Sequence, residues 1–429
     1  MIPRYVRKEM GRIWSDQNKF SKWLEVELAV LWARYRLGAL SRYAWRRICS
    51  CAHFTVEEIE TLDKEIGHDM NAFIGVVQKY INSRYAGEFH KELTSYDVEE
   101  PALAIQTRES IDLIKEDIKT LKVALLAPAK EHKWTIMAGR THGVQAEAIT
   151  FGLKLLVWYE ALNRRLKMLD EAREVINVGK TSGAVGTYTL PPVIEEMVCK
   201  KLGMKPAKIS TQILQRDRHA QVITALAITA GTVEQIATEL RRLCQTEIGE
   251  VQEPFTQKQK GSSAMAHKKN PVLLERICGL ARVIRNNAGA ALEDIATWAE
   301  RDITQSSVER VIFPDSFQAL DYIIDRLTWV IEKMEVFPER MLENLEKTQG
   351  TIFSQQVRVW LLEKGMEPEA AYRLTQETCF EAIRKSTPLI EILLLKPELC
   401  EYPVEEIKTL FNYRNQLIHI DQIFARFGI

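Results

Sequence analysis

The stretch ITFGLKLLVWYEALNRRLKMLDEAREVINV, residues 149–178, decides the fold class. Phe151, Leu155, Trp158, Leu162, Leu169 and Ile176 recur at helical spacing, with Glu160, Arg164 and Lys167 interspersed. An apolar face with charges between its members predicts one amphipathic helix of unusual length. Such a helix needs partners along its whole length, because packing rather than intrinsic propensity holds it. Residues 101–132, 217–251, 271–298 and 314–334 read the same way. Together they predict an elongated bundle, whose apolar content exceeds what one bundle hides and so argues for association through the helices.

Working outward from the bundle, the chain remains helical. Gly and Pro number only 20 and 14, strand signals are few and short, and no internal repeat or low-complexity tract is present. In residues 16–37, Phe20, Trp23, Leu24, Leu28 and Leu31 line one face, and Gly38 stands where a helix stop is expected. Thr55 with Glu58 makes a capping box for the next helix. Beyond Pro338 the helices shorten, separated by Gly350, Gly365, Pro368, Pro388, Pro397 and Pro403. The expectation is an all-α chain in three parts: an N-terminal helical domain 1–95, a long-helix bundle 96–338 and a C-terminal helical domain 339–429.

Charge excludes several classes of partner. With 58 basic against 58 acidic residues, no global field draws the protein to nucleic acid or an anionic membrane, so any anion site must be local. Seven scattered cysteines without a C-x-x-C pair suit reduced thiols in the cytoplasm. The opening MIPRYVRKEM has no apolar core of a signal peptide. The most apolar long run, residues 222–233, is interrupted by threonines and reads as a buried helix too short to span a bilayer.

The chemistry-bearing residues fall at the joints. KGSSAMAHKKNP, residues 260–271, reads as a mobile polar loop running into a helix, with Asn270 as N-cap and Pro271 at the first helical position. His68 and Asp69 lie in GHDMNAF, His90, Thr94, Ser95 and Asp97 in FHKELTSYD, and Arg140, Thr141 and His142 in GRTHGVQAE, all read as short inter-helix loops. Among eight histidines there is neither an H-E-x-x-H nor a pair with zinc-site spacing. Gly179, Lys180 and Thr181 mimic the end of a phosphate loop, but Glu174 stands where its first glycine belongs. No metal, cofactor or nucleotide loop is expected.

Gly261, Ser262, Met265, Lys268 and Asn270 spell G-S-x-x-M-x-x-K-x-N. This pattern resembles the signature of the fumarase/aspartase superfamily of elimination enzymes, and the flanking residues resemble its adenylosuccinate lyase branch. The likeness runs over essentially the whole chain and is strongest at RTHG (140–143), STQ (210–212), the signature loop and ERDITQSSVER (300–310). It implies a three-domain helical fold, a homotetramer whose active sites are each built from three subunits, and a succinylated nucleotide substrate from which fumarate is expelled. By the same resemblance Ser262 is the base, His142 the general acid and His68 its partner, while His90, Lys268 and Glu275 are further active-site positions. Thr94, Ser95, Gln212 and Asn270 would hold the succinyl part, Arg4, Tyr5, Arg301, Ser306 and Arg310 the phosphate, and Asp69 would join the substrate-binding set. Arginine forks suit phosphate oxygens. A serine base needs strong local positive potential, for which Lys268 and the helix start at Asn270 and Pro271 are the expected sources.

The chain departs from the family pattern at Ala266 (usually proline), Lys91, Glu92, Tyr96, Gln145 and Gln305. None is an assigned catalytic or phosphate-binding group, yet several line the substrate side. Two alternatives to the leading reading are a sister enzyme acting on another aminosuccinate, or a related cycloisomerase, and a catalytically silent scaffold.

Overall fold

A computed structural model describes all residues, Met1–Ile429. The protein is mostly helical, around five long helices: α1 (Ser95–Glu131), α2 (Phe151–Ile176), α3 (Asp217–Leu243), α4 (Val272–Glu293) and α5 (Thr304–Lys333). Each covers most of the stretch that the apolar period marks, α3 and α4 ending short of it at Leu243 and Glu293 rather than at 251 and 298. On α2, Phe151, Leu155, Trp158, Leu162, Leu169 and Ile176 are all 4 % exposed or less.

Two helices extend past a proline that reads as a start. Pro101 lies inside α1 and Pro314 inside α5. A proline has no N–H, so each removes one intrahelical bond, to the carbonyls of Asp97 and Arg310 respectively. Burial of Phe313, Phe317, Leu320 and Ile324 outweighs that loss. The run 222–233 likewise belongs to a longer element than its composition suggests. It lies inside α3, which is long and apolar enough to cross a bilayer, with 61 % of its most apolar window buried within the chain, as in a core helix.

The chain forms two compact units: Met1–Thr120 with Leu162–Gln235 and Arg276–Leu327, and Leu121–Ala161 with Ile236–Glu275 and Thr328–Ile429. Every boundary falls inside a long helix. In the first unit, Phe20, Trp23 and Phe73 centre a core that also takes Val98, Ala102 and Ile105 from α1, and Ile194, Val198 and Leu202 from the helix Pro192–Leu202. The helix Asp16–Arg36 is capped by Ser15 and the next by Thr55, whose Oγ1 accepts from the Glu58 amide at 3.3 Å and donates to the Glu58 carboxylate at 3.0 Å, so the box forms by its cap half alone.

In the second unit Val357, Trp360, Leu361, Leu389, Leu393 and Ile407 form a separate core among short helices. This unit also contains an antiparallel hairpin, β1 (Ile136–Thr141) and β2 (Val144–Thr150). Near it the start of α2 passes so close to the end of α1 that a Cβ on Gly152 would stand 2.6 Å from the Ala129 carbonyl and 2.9 Å from that of His132. Gly152→Ala is therefore expected to overpack this crossing and cost about 1–3 kcal/mol, read as a lower urea midpoint at unchanged slope; an unshifted midpoint would show that the crossing yields freely.

Candidate active site

In the first unit the candidate residues converge on a fully buried carboxylate. Thr94 immediately precedes α1, and Asp97 in the first turn accepts from the Thr94 amide at 2.9 Å, a capping arrangement that fixes Thr94 and Ser95 at the helix start. The other oxygen of Asp97 accepts from Lys180 Nζ at 2.5 Å and from the Gly183 amide at 3.1 Å. Lys180 and Asp97 are both 0 % exposed. Lys180 also donates to the Gln212 carbonyl at 2.9 Å, and Ser182 bonds Ser210 at 2.6 Å. One buried ion pair thus draws together the start of α1, the 180–183 segment and the STQ segment. The side chain of Gln212 donates to the Ala184 carbonyl at 3.0 Å and accepts from Arg301 Nη1 at 2.8 Å.

Lys180 and Asp97 carry no assigned role in the sequence reading. The available signal is a lone lysine in the small-residue run V-G-K-T-S-G-A-V, where a cation is expected only with a buried partner.

Beside this network Arg310 on α5 pairs with Asp69 at 2.7 Å and approaches Glu99 at 3.8 Å. Asp69 also accepts from Lys19 at 3.3 Å. Burial alone would raise the Asp69 carboxyl, but Lys19 and Arg310 hold it below its usual range. Next to it, exposed His68 caps the helix Asp69–Ile81, its Nδ1 accepting from the Asn71 amide at 3.3 Å. His90 takes a left-handed backbone (φ 61°), and its Nδ1 lies 2.5 Å from the buried Glu27 carboxylate, which also accepts from the His90 amide. Glu27, unlike Asp97, is not among the residues the sequence reading singles out.

A cavity of about 290 Å³ opens among Tyr96, Glu99, Ser306, Glu309, Arg310 and the tryptophans Trp14 and Trp23. Burial pushes Glu99 up to about 7 and Glu309 up to about 8, even though the guanidiniums of Arg310 and Arg216 respectively oppose the shift. Near neutral pH Glu309 is mostly protonated and Glu99 only partly ionised, so the two carboxyls offset less of the positive charge of Arg310 than a pair of free carboxylates would. Tyr5 lies apart from this group. Tyr5 packs on Tyr322 at 5.3 Å between ring centres, twelve residues along α5 from Arg310 and so about 18 Å away along the axis.

The second unit carries Ser262, Lys268, Asn270, Glu275 and His142. His142 is at the tip of the β1–β2 hairpin rather than in an inter-helix loop. With Gly143 it forms a two-residue turn, both at positive φ (53° and 80°), the pattern a tight hairpin demands. The overlooked signal is His-Gly between a short apolar run, Ile136 to Ala138, and the alternating Val144-Gln145-Ala146-Glu147-Ala148. The hairpin is pinned below its tip, where Arg140 forks onto the fully buried Glu250 at 3.0 and 2.5 Å. Gln145, one of the departures from the family pattern, donates to the Asn344 carbonyl at 3.0 Å.

The signature loop is tied at its base, where Asn270 Nδ2 donates to the Gly261 carbonyl at 2.8 Å. Asn270 is therefore not the cap of the following helix. The first free amides of α4, on Leu273 and Leu274, are taken by the buried Glu253 carboxylate at 3.1 and 2.9 Å, a stronger acceptor than an amide oxygen. This corrects the electrostatic expectation: a carboxylate already sits on the positive pole of α4, and the pole is not free for Ser262. The loop supplies its own replacement. Ser262 Oγ accepts from the amides of Ala264 and Met265 at 3.2 and 3.0 Å, donors that stabilise negative charge on that oxygen. His267, Lys268 and Glu275 are exposed.

The lyase family pattern matches residues 12–285, and the adenylosuccinate lyase C-terminus pattern matches 350–427. The chain is 47 % identical to the adenylosuccinate lyase of Aquifex aeolicus over 95 % of its own length and 94 % of that protein's. It is 41 % identical to that of Bacillus subtilis over the full length of both. Among solved structures it resembles a fumarate lyase from Mesorhizobium sp. BNC1 (TM-score 0.89, 27 % identity, 97 % and 96 % of the two chains). A 3-carboxy-cis,cis-muconate lactonizing enzyme from Pseudomonas putida has the same TM-score of 0.89 at 25 % identity, covering 98 % and 96 %.

Replacing Lys180 by Met would strand the Asp97 carboxylate in the interior. The expected cost is about 3–5 kcal/mol in a denaturation curve, partly recovered by adding Asp97→Leu; a single variant as stable as the parent would remove this ion pair from the centre of the site. The helical fold, the two family patterns and the full-length identities agree, and the chain belongs to the adenylosuccinate lyase family.

Proposed function

We propose that the protein cleaves adenylosuccinate to AMP and fumarate, and the related succinylated imidazole carboxamide ribotide to its amide and fumarate, in purine nucleotide synthesis in the cytoplasm. The observation that carries this reading is the full-length likeness to two curated adenylosuccinate lyases. The geometry adds a reason for the chemistry. Ser262 takes the proton from the carbon beside the carboxylate, its oxygen favoured as an anion by two backbone amides and by the charge of Lys268. The electron pair left on carbon is held as an enediolate, then expels the nitrogen as the C–N bond breaks. His142, exposed on a rigid hairpin tip, delivers a proton to that nitrogen, and His68 works alongside it. His90, oriented by Glu27, with Glu275, completes the catalytic set.

Thr94, Ser95, Gln212 and Asn270 hold the succinyl carboxylates, and Arg301, Ser306 and Arg310 with Arg4 and Tyr5 hold the phosphate, Asp69 orienting Arg310. The separation of Tyr5 from Arg310 within one chain is what a site shared between subunits of a homotetramer requires. The three-part division at residues 95 and 338 fits the same picture, supported at its C-terminal end by a core of its own.

The same fold carries other eliminations and a lactonization in its structural neighbours, so a substrate panel with fumarate detection is the direct test. Adenylosuccinate should be turned over fastest; turnover of another aminosuccinate alone, or of none by well-folded tetramer, would overturn the assignment. Ser262→Ala should lower kcat by about 10²–10⁴ with the assembly mass by light scattering unchanged, and undiminished turnover would remove Ser262 as the base.

A further inference from the structure

We propose that Tyr96 is a positioning residue, which fixes the plane of Arg301 so that its guanidinium meets the substrate phosphate; this rests on the phosphate-binding role given to Arg301 above. Tyr96 is 5 % exposed at the start of α1. Its ring centre lies 3.9 Å from the Arg301 guanidinium carbon, with Arg216 at 5.8 Å. Its hydroxyl accepts from Gln305 Nε2 at 3.4 Å, and Ser306 lines the same cavity. Tyr96 and Gln305, two separate departures in the sequence, are thus one contact in space.

Arg301 has few other constraints. Nη1 donates to Gln212 Oε1 at 2.8 Å, while its buried Nε has no partner. One hydrogen bond leaves a guanidinium free to rotate about it, and an aromatic face removes that freedom. The ring does so without neutralising the cation, whereas Asp69 shares the charge of Arg310. The phenol also stays neutral, since burial pushes it up to about 12, and no phenolate competes with an incoming phosphate. A stacked, hydrogen-bonded tyrosine therefore leaves Arg301 oriented and fully charged.

The test compares wild type, Tyr96→Phe and Tyr96→Leu as full-length enzyme. Each is assayed with adenylosuccinate and with its phosphate-free nucleoside, and inorganic phosphate is the competing anion. Tyr96→Leu, which fills space but has no ring, should raise both KM for the nucleotide and Ki for phosphate about five- to thirty-fold. Its kcat/KM for the nucleoside should stay within about twofold, and Tyr96→Phe should recover most of the loss. An unchanged phosphate Ki, equal losses with both substrates, or a Phe variant as impaired as the Leu variant would each overturn the proposal. Tyr96→Met serves if the Leu variant does not fold. Should wild type fail to cleave the nucleotide, the function reading falls instead, and calorimetric binding of inorganic phosphate by the same variants still decides the role of Tyr96.

Discussion

Asp97 and Lys180, both wholly removed from water and 2.5 Å apart, are the constraint on which the first unit's site depends. Either charge alone would cost several kcal/mol in the interior, and the pair holds only because each remaining polar position is also satisfied. Asp97 meets that demand with the amides of Thr94 and Gly183, and Lys180 with the Gln212 carbonyl. These partners lie on three segments far apart in sequence, so satisfying one charge fixes all three. The helix start that presents Thr94 and Ser95 is thereby locked to the segment that presents Gln212, and through Gln212 to Arg301.

The second unit uses the same device at two places. Glu250, fully buried, takes the fork of Arg140 and the amide of Asn344, so the hairpin bearing His142 is braced just below its tip. Glu253 occupies the two free amides at the start of α4, which anchors the end of the signature loop but spends the helix pole on a structural carboxylate. In the signature loop the Ser262 oxygen instead accepts from the amides of Ala264 and Met265. In each unit buried acids hold the scaffold, Asp97 and Glu27 in the first, Glu250 and Glu253 in the second.

The sequence was informative where the physics is local and periodic. The 3.6-residue period marked the five long helices, and Thr55 caps its helix at the Glu58 amide as read, because both depend on neighbours within a few residues. It failed where a distant partner wins over local preference. Pro101 and Pro314 read as starts but lie inside helices, since the burial on either side exceeds the cost of one lost hydrogen bond. Asn270 next to Pro271 has the composition of a cap, yet Glu253, seventeen residues earlier, outcompetes it as acceptor.

By itself, then, the sequence determined the helical class, the long central helices, the family and the residue types at the site, all of which are written in short-range pattern. Only the tertiary structure decided which acid satisfies which base, that His142 rides a hairpin, that Tyr96 and Gln305 touch, and that Tyr5 and Arg310 stand apart on one chain. Those outcomes turn on buried charges finding partners across long separations in sequence, and a linear pattern carries no measure of that competition.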